Sequence, residues 1–384
     1  MTLVFQRDPL EGPRVPAGPR THAFVLGCGR FPTLGAAAER ASTVAGARAI
    51  IRYLIEQRDS LVAPLGSIEC LLSDPSVAPG QDVLGLGAFD RDPRVNDHVA
   101  AVVTPNVQSA GEAWLSRCEA GDHMFFYMSS HGIADQNVSA AGLFEDVLAN
   151  RYKKWSASLN VNVLCTNLPV TQAAACWVFL DACQELIPAL LGNNSGLAGV
   201  TLVDASPTEL ANVQVRSVGI AGSRYGEKAW APNGPNPPYF TQALLRSFNS
   251  CVNFRADGQW VVTGDRLLFN IEKVADAAYG YAALKVDSLS PFATPPELVT
   301  VQTPLLPVVV RTKDLAHMAF LQKVTITNGQ GPGIEGTPQL TDCFFEVPPS
   351  GQQYVATGVF TQQFNYQPAQ FYAAPCAQIV QLCP

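Results

Sequence analysis

The chain alternates short, dense apolar runs with longer segments whose apolar residues recur every three or four positions. THAFVLGCG (21–29) is a run closed by glycines, and SIECLL (67–72) is a second. DHMFFYMSS (122–130), AAACWVFLDA (173–182) and SVGIAGS (217–223) continue the series. Runs of this length without polar alternation predict strands buried on both faces of a sheet. Between and after them, STVAGARAIIRYLIEQ (42–57), SAGEAWLSRCEA (109–120), YFTQALLRSF (239–248) and DRLLFNIEKVADAAYG (265–280) carry helical spacing. Strands alternating with helices predict an α/β fold, a parallel sheet covered by helices on both faces. Residues 1–20, rich in Pro, Arg and Gly, read as an extended arm, and 73–97 as a Gly-, Pro- and Asp-rich loop.

The pattern changes near SLSPFATPPE (288–297). Beyond position 290 only three Lys or Arg remain, among many Gln, Thr, Pro and aromatic residues. Short runs such as LLPVVV, KVTIT and CFFEV predict a small β-rich domain there. The expected organisation is an N-terminal arm over 1–20, an α/β domain over 21–285 and a β-rich domain over 290–384. No internal repeat or low-complexity tract interrupts it.

Length and charge narrow the function classes. With 384 residues, 47% of them apolar and 15% charged, the chain has enough material for two folded cores. A net charge of −7 argues against nucleic-acid or anionic-membrane partners. The first twenty residues lack the apolar run and small-residue site of a secretory leader. No uncharged apolar stretch reaches the ~18 residues that a membrane span requires. The expectation is a soluble cytoplasmic protein.

Ten cysteines are present, none in a C-x-x-C pair and none in a Cys/His cluster with zinc spacing. Most, as in SIECLLS and VNVLCTN, sit among apolar neighbours where a thiol packs as a small hydrophobe. In a parallel α/β sheet, ligands bind outside the carboxyl ends of the strands. Among His22, His98, His123, His131 and His317, only His131 stands at such an end, followed at once by Gly132. The same filter keeps Cys183, just past WVFLDA, passes Cys28 less well, and rejects Cys176 at the start of its strand. A neighbouring imidazole that takes the proton of an otherwise weak thiol nucleophile is the logic of Cys–His catalysis. The alternative is a pair of unrelated loop-end residues.

FFYMSSHG followed by VFLDACQE resembles the caspase-like cysteine peptidases, which comprise caspases, metacaspases and their bacterial relatives. That family has a histidine about 50 residues before the cysteine; here the separation is 52. THAFVLGCGRFPTLG with AGARAIIRYLIEQ resembles the opening of bacterial members. GIAGSRYGEKA with PYFTQALLRSF resembles their fifth strand, substrate loop and following helix. The resemblance spans roughly residues 20–280. It implies a three-layer α/β/α sandwich, with His131 as general base and acid and Cys183 as nucleophile. The backbone N–H groups of Gly132 and Cys183 would form the oxyanion hole, and the resemblance implies no metal or organic cofactor. Gly132 suits this on local grounds, because a missing side chain lets substrate reach the backbone. Ser223, Arg224 and Tyr225, within AGSRYGE, match the segment that pairs with the substrate peptide as an added strand.

Specificity is mixed. Metacaspases carry an acidic residue two positions before the nucleophile, facing a substrate Arg or Lys, and Asp181 stands there. A carboxylate attracts a guanidinium and repels a substrate carboxylate. The second acidic position of metacaspases falls on Gly46. Arg40 lies near the first arginine of the Asp-specific caspases, whose second arginine has no equivalent near Asn233. Cleavage after Arg or Lys is the favoured expectation, with Glu39 a candidate second negative charge. Cleavage after Asp is the alternative. The family implies regulated proteolysis, as in bacterial defence or cell death, sometimes from a zymogen. Its partners would be protein or peptide substrates and an activating protease or regulator. A catalytically idle scaffold that binds protein partners is the rival from another class.

Blander readings accompany these residues. Asp181 is also a candidate helix cap or partner of Arg40. Gln184 and Glu185 read as helix-start residues, and Asp135 and Glu145 as solvated loop charges. RYKK (151–154) reads as a basic surface turn, or as an exposed cleavage site.

Overall fold

The computed structural model describes residues 2–7, 18–87, 95–135, 139–186, 199–211, 216–232, 234–280, 284–289, 295–330, 332–338, 342–362, 364–374 and 378–383. Half of the expected arm (8–17) and Asn233 lie outside the described residues. Two compact units emerge, one of residues 1–242 with 284–299 and the other of 243–283 with 300–384.

The first unit is a mixed α/β structure on a mostly parallel sheet. In chain order it contains β1 (Leu3–Gln6), β2 (Thr21–Cys28), α1 (Ala41–Glu56), β3 (Leu65–Ser73), α2 (Thr104–Leu115) and β4 (His123–Ser129). There follow β5 (Gly132–Ala134), β6 (Ala140–Leu143), β7 (Ser158–Asn160), α3 (Val161–Asn167), β8 (Ala175–Asp181), β9 (Glu185–Leu186), α4 (Pro207–Ala211) and β10 (Arg216–Ala221). Helix α5 (Tyr239–Ser250) begins in this unit.

Strands β3, β2, β4, β8 and β10 are neighbours in that order and mutually parallel. The apolar runs form them because every residue of β2, β4 and β8 is buried. Alternate side chains serve opposite faces. Phe24, Phe126, Met128 and Leu180 share a core with Trp114 of α2 and Leu164 of α3. Tyr127 points the other way, where its hydroxyl lies beside Gly46 of α1. From β2 the chain steps outward to β3 and then returns across β2 to β4. The carboxyl ends of β2 and β4 therefore open a crevice at a switch in strand order.

Three local differences from expectation have simple causes. Leu3–Gln6, expected in an extended arm, is an antiparallel edge strand on β3. Helix α2 starts at Thr104 rather than Ser109, because Pro105 has no N–H to lose in a first turn and Asp146 accepts from Thr104 N at 3.2 Å. A small sheet in the order β7-β6-β5-β9 was not anticipated, its strands being only two to four residues long.

In the second unit, Leu306–Thr312 lies between Cys343–Val347, antiparallel, and Gln378–Leu382, parallel. Leu321–Thr327 and Tyr354–Phe360 form the centre of a four-stranded antiparallel sheet. Val310, Val324, Ile326, Phe345 and Ala356 are among the residues of its core. Among the described residues no helix is long and apolar enough to cross a membrane.

Candidate active site

Register brings the two expected catalytic residues together. Strands β4 and β8 pair Ser129 with Asp181, and β5 and β9 pair Ile133 with Glu185. Both offsets equal the 52 residues between His131 and Cys183, which therefore sit level on neighbouring segments roughly 5 Å apart. Between the two pairings Ser130 N donates to Asp181 O at 3.2 Å. His131 and Cys183 both line a cavity of about 620 Å³ that also involves Arg40, Asp181, Lys228 and Trp230.

The imidazole is held from two sides. His131 Nε2 lies 2.7 Å from the carbonyl oxygen of Ala38, and the Phe31 ring packs 4.7 Å from it, centroid to centroid. A carbonyl only accepts, so Nε2 carries the hydrogen and Nδ1 of the neutral ring carries the lone pair. Burial lowers the pKa of His131, against the Ala38 hydrogen bond, and the nearby positive Arg40 lowers it further. Burial and Arg40 thus favour the neutral ring.

Cys183 is half-buried, and burial raises the pKa of its thiol. The N–H of Ala229 donates to Sγ at 3.3 Å and opposes that rise, while Glu185 and Asp181 add to it. Around the thiol the chain closes on itself. Gln184 N donates to Glu227 O and Gly226 N to Gln184 O, each at 2.9 Å. Gln184 is buried and also bonds Ser223 O through its side chain, so Gln184 and Glu185 extend into β9 rather than start a helix.

Gly132 meets a steric demand beside the substrate approach expected of it. A Cβ there would lie 2.3 Å from Cys183 O and 2.7 Å from Ala182 Cβ. The missing side chain lets the His131 and Cys183 segments approach each other.

Asp181 lines the cavity but is only 3% exposed. Its Oδ2 accepts from the Thr241 hydroxyl and, at 3.2 Å, from Thr241 N in the first turn of α5. Tyr127 in turn donates to Thr241 Oγ1 at 2.5 Å. Asp181 thus satisfies an orphan donor at a helix start, as in the bland reading, though on a later helix. Burial pushes its carboxyl up to about 7, against those hydrogen bonds. Arg40 does not pair with it; the Arg40 guanidinium donates to Ala37 O and Glu39 O, both at 2.8 Å. Gly46 leaves its space to Tyr127, Pro238 and Thr241.

Other expected contacts fall elsewhere. Ser223 is buried and donates to Ala182 O at 2.9 Å, and the Tyr225 hydroxyl donates to Asp135 O at 2.8 Å. Neither they nor Arg224 line the cavity; Arg224 is exposed beside it in sequence only. Asp135 and Glu145, expected to be solvated, are buried. Cys28 is fully buried and its thiol is pushed well up by burial, as for an inert core residue. The RYKK turn is exposed along its length.

Sequence reasoning missed Ala38, Phe31, Tyr127, Thr241 and Ala229, whose roles depend on contacts far along the chain. It also missed Trp230, 53% exposed at the cavity; an indole within a Pro- and Asn-rich loop was the available signal. Among the described residues no group of three or more His, Cys, Asp or Glu is arranged to hold a metal ion.

No family model matches the chain, and no curated protein matches it. Among solved structures it is similar to protein GSU0716 from Geobacter sulfurreducens, at 15% identity and a TM-score of 0.38, over 74% of this chain and 95% of that one.

Proposed function

We propose that the protein is a caspase-like cysteine endopeptidase on a three-layer α/β/α sandwich, with His131 and Cys183 as its catalytic dyad. The observation that carries this reading is the shared offset that sets the two side chains level at the carboxyl ends of adjacent parallel strands. His131 Nδ1 takes the thiol proton as Sγ attacks the scissile carbonyl. The resulting oxyanion is met by the N–H groups of Gly132 and Cys183. His131 then gives its proton to the leaving amine, and the acyl-enzyme is hydrolysed by water that His131 activates in turn.

The preferred substrates are peptides cut after Arg or Lys. Asp181 lies at the cavity and becomes negative as pH rises through about 7. Glu39 adds a second carboxylate to the lining. Peptide contacts fall to Ala229 and Trp230, because the polar groups of Ser223 and Tyr225 are already engaged. The setting is regulated proteolysis, as in bacterial defence or cell death.

The test is hydrolysis of a peptide library together with labelling by a peptidyl acyloxymethyl ketone. Wild type is expected to cut after Arg or Lys and to be labelled at Cys183, with both signals lost in Cys183→Ala and His131→Ala. Full cleavage by Cys183→Ala overturns the reading. Absence of labelling in wild type under all conditions, with partner capture retained, favours the scaffold.

A further inference from the structure

We infer that Arg30 and Glu145 are positioning residues for His131, acting through the loop that carries the imidazole's two supports. This inference rests on the reading of His131 as the catalytic base.

Arg30 follows β2 directly and is buried. Its Nε donates to Glu145 Oε1 at 2.9 Å, and Nη2 to Glu145 Oε2 at 3.1 Å. Asp82 takes the opposite edge, with Nη2 to Oδ2 at 2.9 Å and Nη1 to Oδ1 at 3.3 Å. Nη1 also donates to Asp74 O at 2.8 Å. One guanidinium therefore bridges two buried carboxylates, each gripped at both oxygens, a geometry that fixes orientation as well as proximity.

The cluster stands where the supports of His131 originate. Phe31, the residue after Arg30, packs on the imidazole, and Ala38 accepts from Nε2. Both belong to the loop from Gly29 to Arg40, whose ends are tied by Arg40 N donating to Gly29 O at 2.8 Å. Glu145 belongs to the other wall. Two residues earlier, Leu143 N donates to His131 O at 2.8 Å. Thr33 adds a second link by donating to Val147 O. Glu145 is itself fixed by Ser73 Oγ at 2.5 Å, and Ser73 Oγ accepts from Val102 N at 2.8 Å.

The ion cluster thus locks the loop bearing Phe31 and Ala38 to the segment that holds the His131 main chain. A stability role alone would be served as well by apolar residues of similar volume, since a buried ion pair often contributes little net stability. The bidentate geometry supplies a fixed distance between two walls, which apolar packing defines less sharply. If the loop moves, Ala38 O leaves Nε2, and the ring no longer has a reason to keep its lone pair on Nδ1.

The experiment compares Glu145→Gln and Arg30→Met with Glu69→Gln. Glu69, itself buried, forms another ion pair, with the part-exposed Arg117 Nη1 at 2.6 Å, but on strand β3 and apart from the loop that supports His131. Ring-nitrogen NMR of His131 reports the tautomer in every variant that melts cooperatively, and peptide turnover is measured alongside. Wild type and Glu69→Gln are expected to show the Nε2–H form, with Glu69→Gln lowered only in melting temperature. Glu145→Gln is expected to show mixed tautomers and a kcat at least about 10-fold lower, with KM within about two-fold. Should Arg30→Met fail to fold, Glu145→Gln decides alone. An unchanged His131 tautomer in a folded Glu145→Gln overturns the inference, whatever the turnover. A shifted tautomer in a protein without peptidase activity supports the positioning role and rejects the peptidase reading.

Discussion

Replacing Gly132 by alanine tests the closeness of the segments that carry His131 and Cys183. The added methyl would lie 2.3 Å from Cys183 O, whereas ordinary contacts begin near 3.4 Å. The segments must therefore part by about 1 Å. Inserting a methylene into a packed site costs about 1–3 kcal/mol. The stiffer unfolded chain returns about 0.4–1 kcal/mol. A net loss of about 1–2 kcal/mol lowers the melting temperature of a unit this size by about 2–8 °C. The same displacement at a reacting pair reduces turnover by on the order of 100-fold. Gly351→Ala is the control, because nothing lies within 4 Å of its added methyl. The assays are thermal unfolding and initial rates on the best library peptide. A Gly132→Ala protein within about 1 °C and two-fold of wild type would refute the close approach of the Cys183 backbone, since the strain would not exist.

Three further outcomes follow from the same site. Asp181 has a folded pKa of about 7, above its ordinary 3.8, so its stabilising contribution is complete below pH 4 and is lost as pH rises through 7. Asp181→Asn should therefore gain stability relative to wild type across that window, by on the order of 4 kcal/mol at most, and should lose the preference for Arg and Lys; a flat difference in urea melts between pH 4 and 8 would contradict this. Because burial raises the Cys183 thiol, iodoacetamide alkylation of the resting protein should keep accelerating above pH 9, and a plateau below pH 8 would count against the neutral pair. Tyr127→Phe removes a donor to Thr241 and should cost about 1 kcal/mol in denaturant melts while leaving Cys183 labelling intact; loss of labelling would place Tyr127 closer to the chemistry than the structure does.

The legible parts of the fold were those written in local pattern. Strands β2, β4 and β8 are buried on both faces, so their apolar runs marked them, and the polar residues that end each run marked the strand ends. His131 and Cys183 were selected as candidates by that route. What escaped notice depended on pairings between distant positions. The carboxylate of Glu145 is buried only because Arg30 arrives from the other side of the site. Nothing near Asp181 in the chain announces Thr241, whose N–H makes the carboxylate a helix-start anchor as well as a cavity residue. The closeness of Cys183 to Gly132 could not be read from the chain either, since a glycine's neighbours in space are invisible in sequence. The strands β5 and β9 are too short to leave any periodicity, although they complete the register at the site.

That register makes the site a matter of counting. His131 and Cys183 each stand two positions past one strand pair and two before the next. Their relative placement is thus measured out by the backbone itself, so side chains at neighbouring positions other than Gly132 can change without altering it. An inserted or deleted residue cannot be absorbed in the same way. Between Ser129 and Ile133, or between Asp181 and Glu185, one extra residue would break the shared offset of 52. Gly132 aside, the site should tolerate substitution better than a change in length.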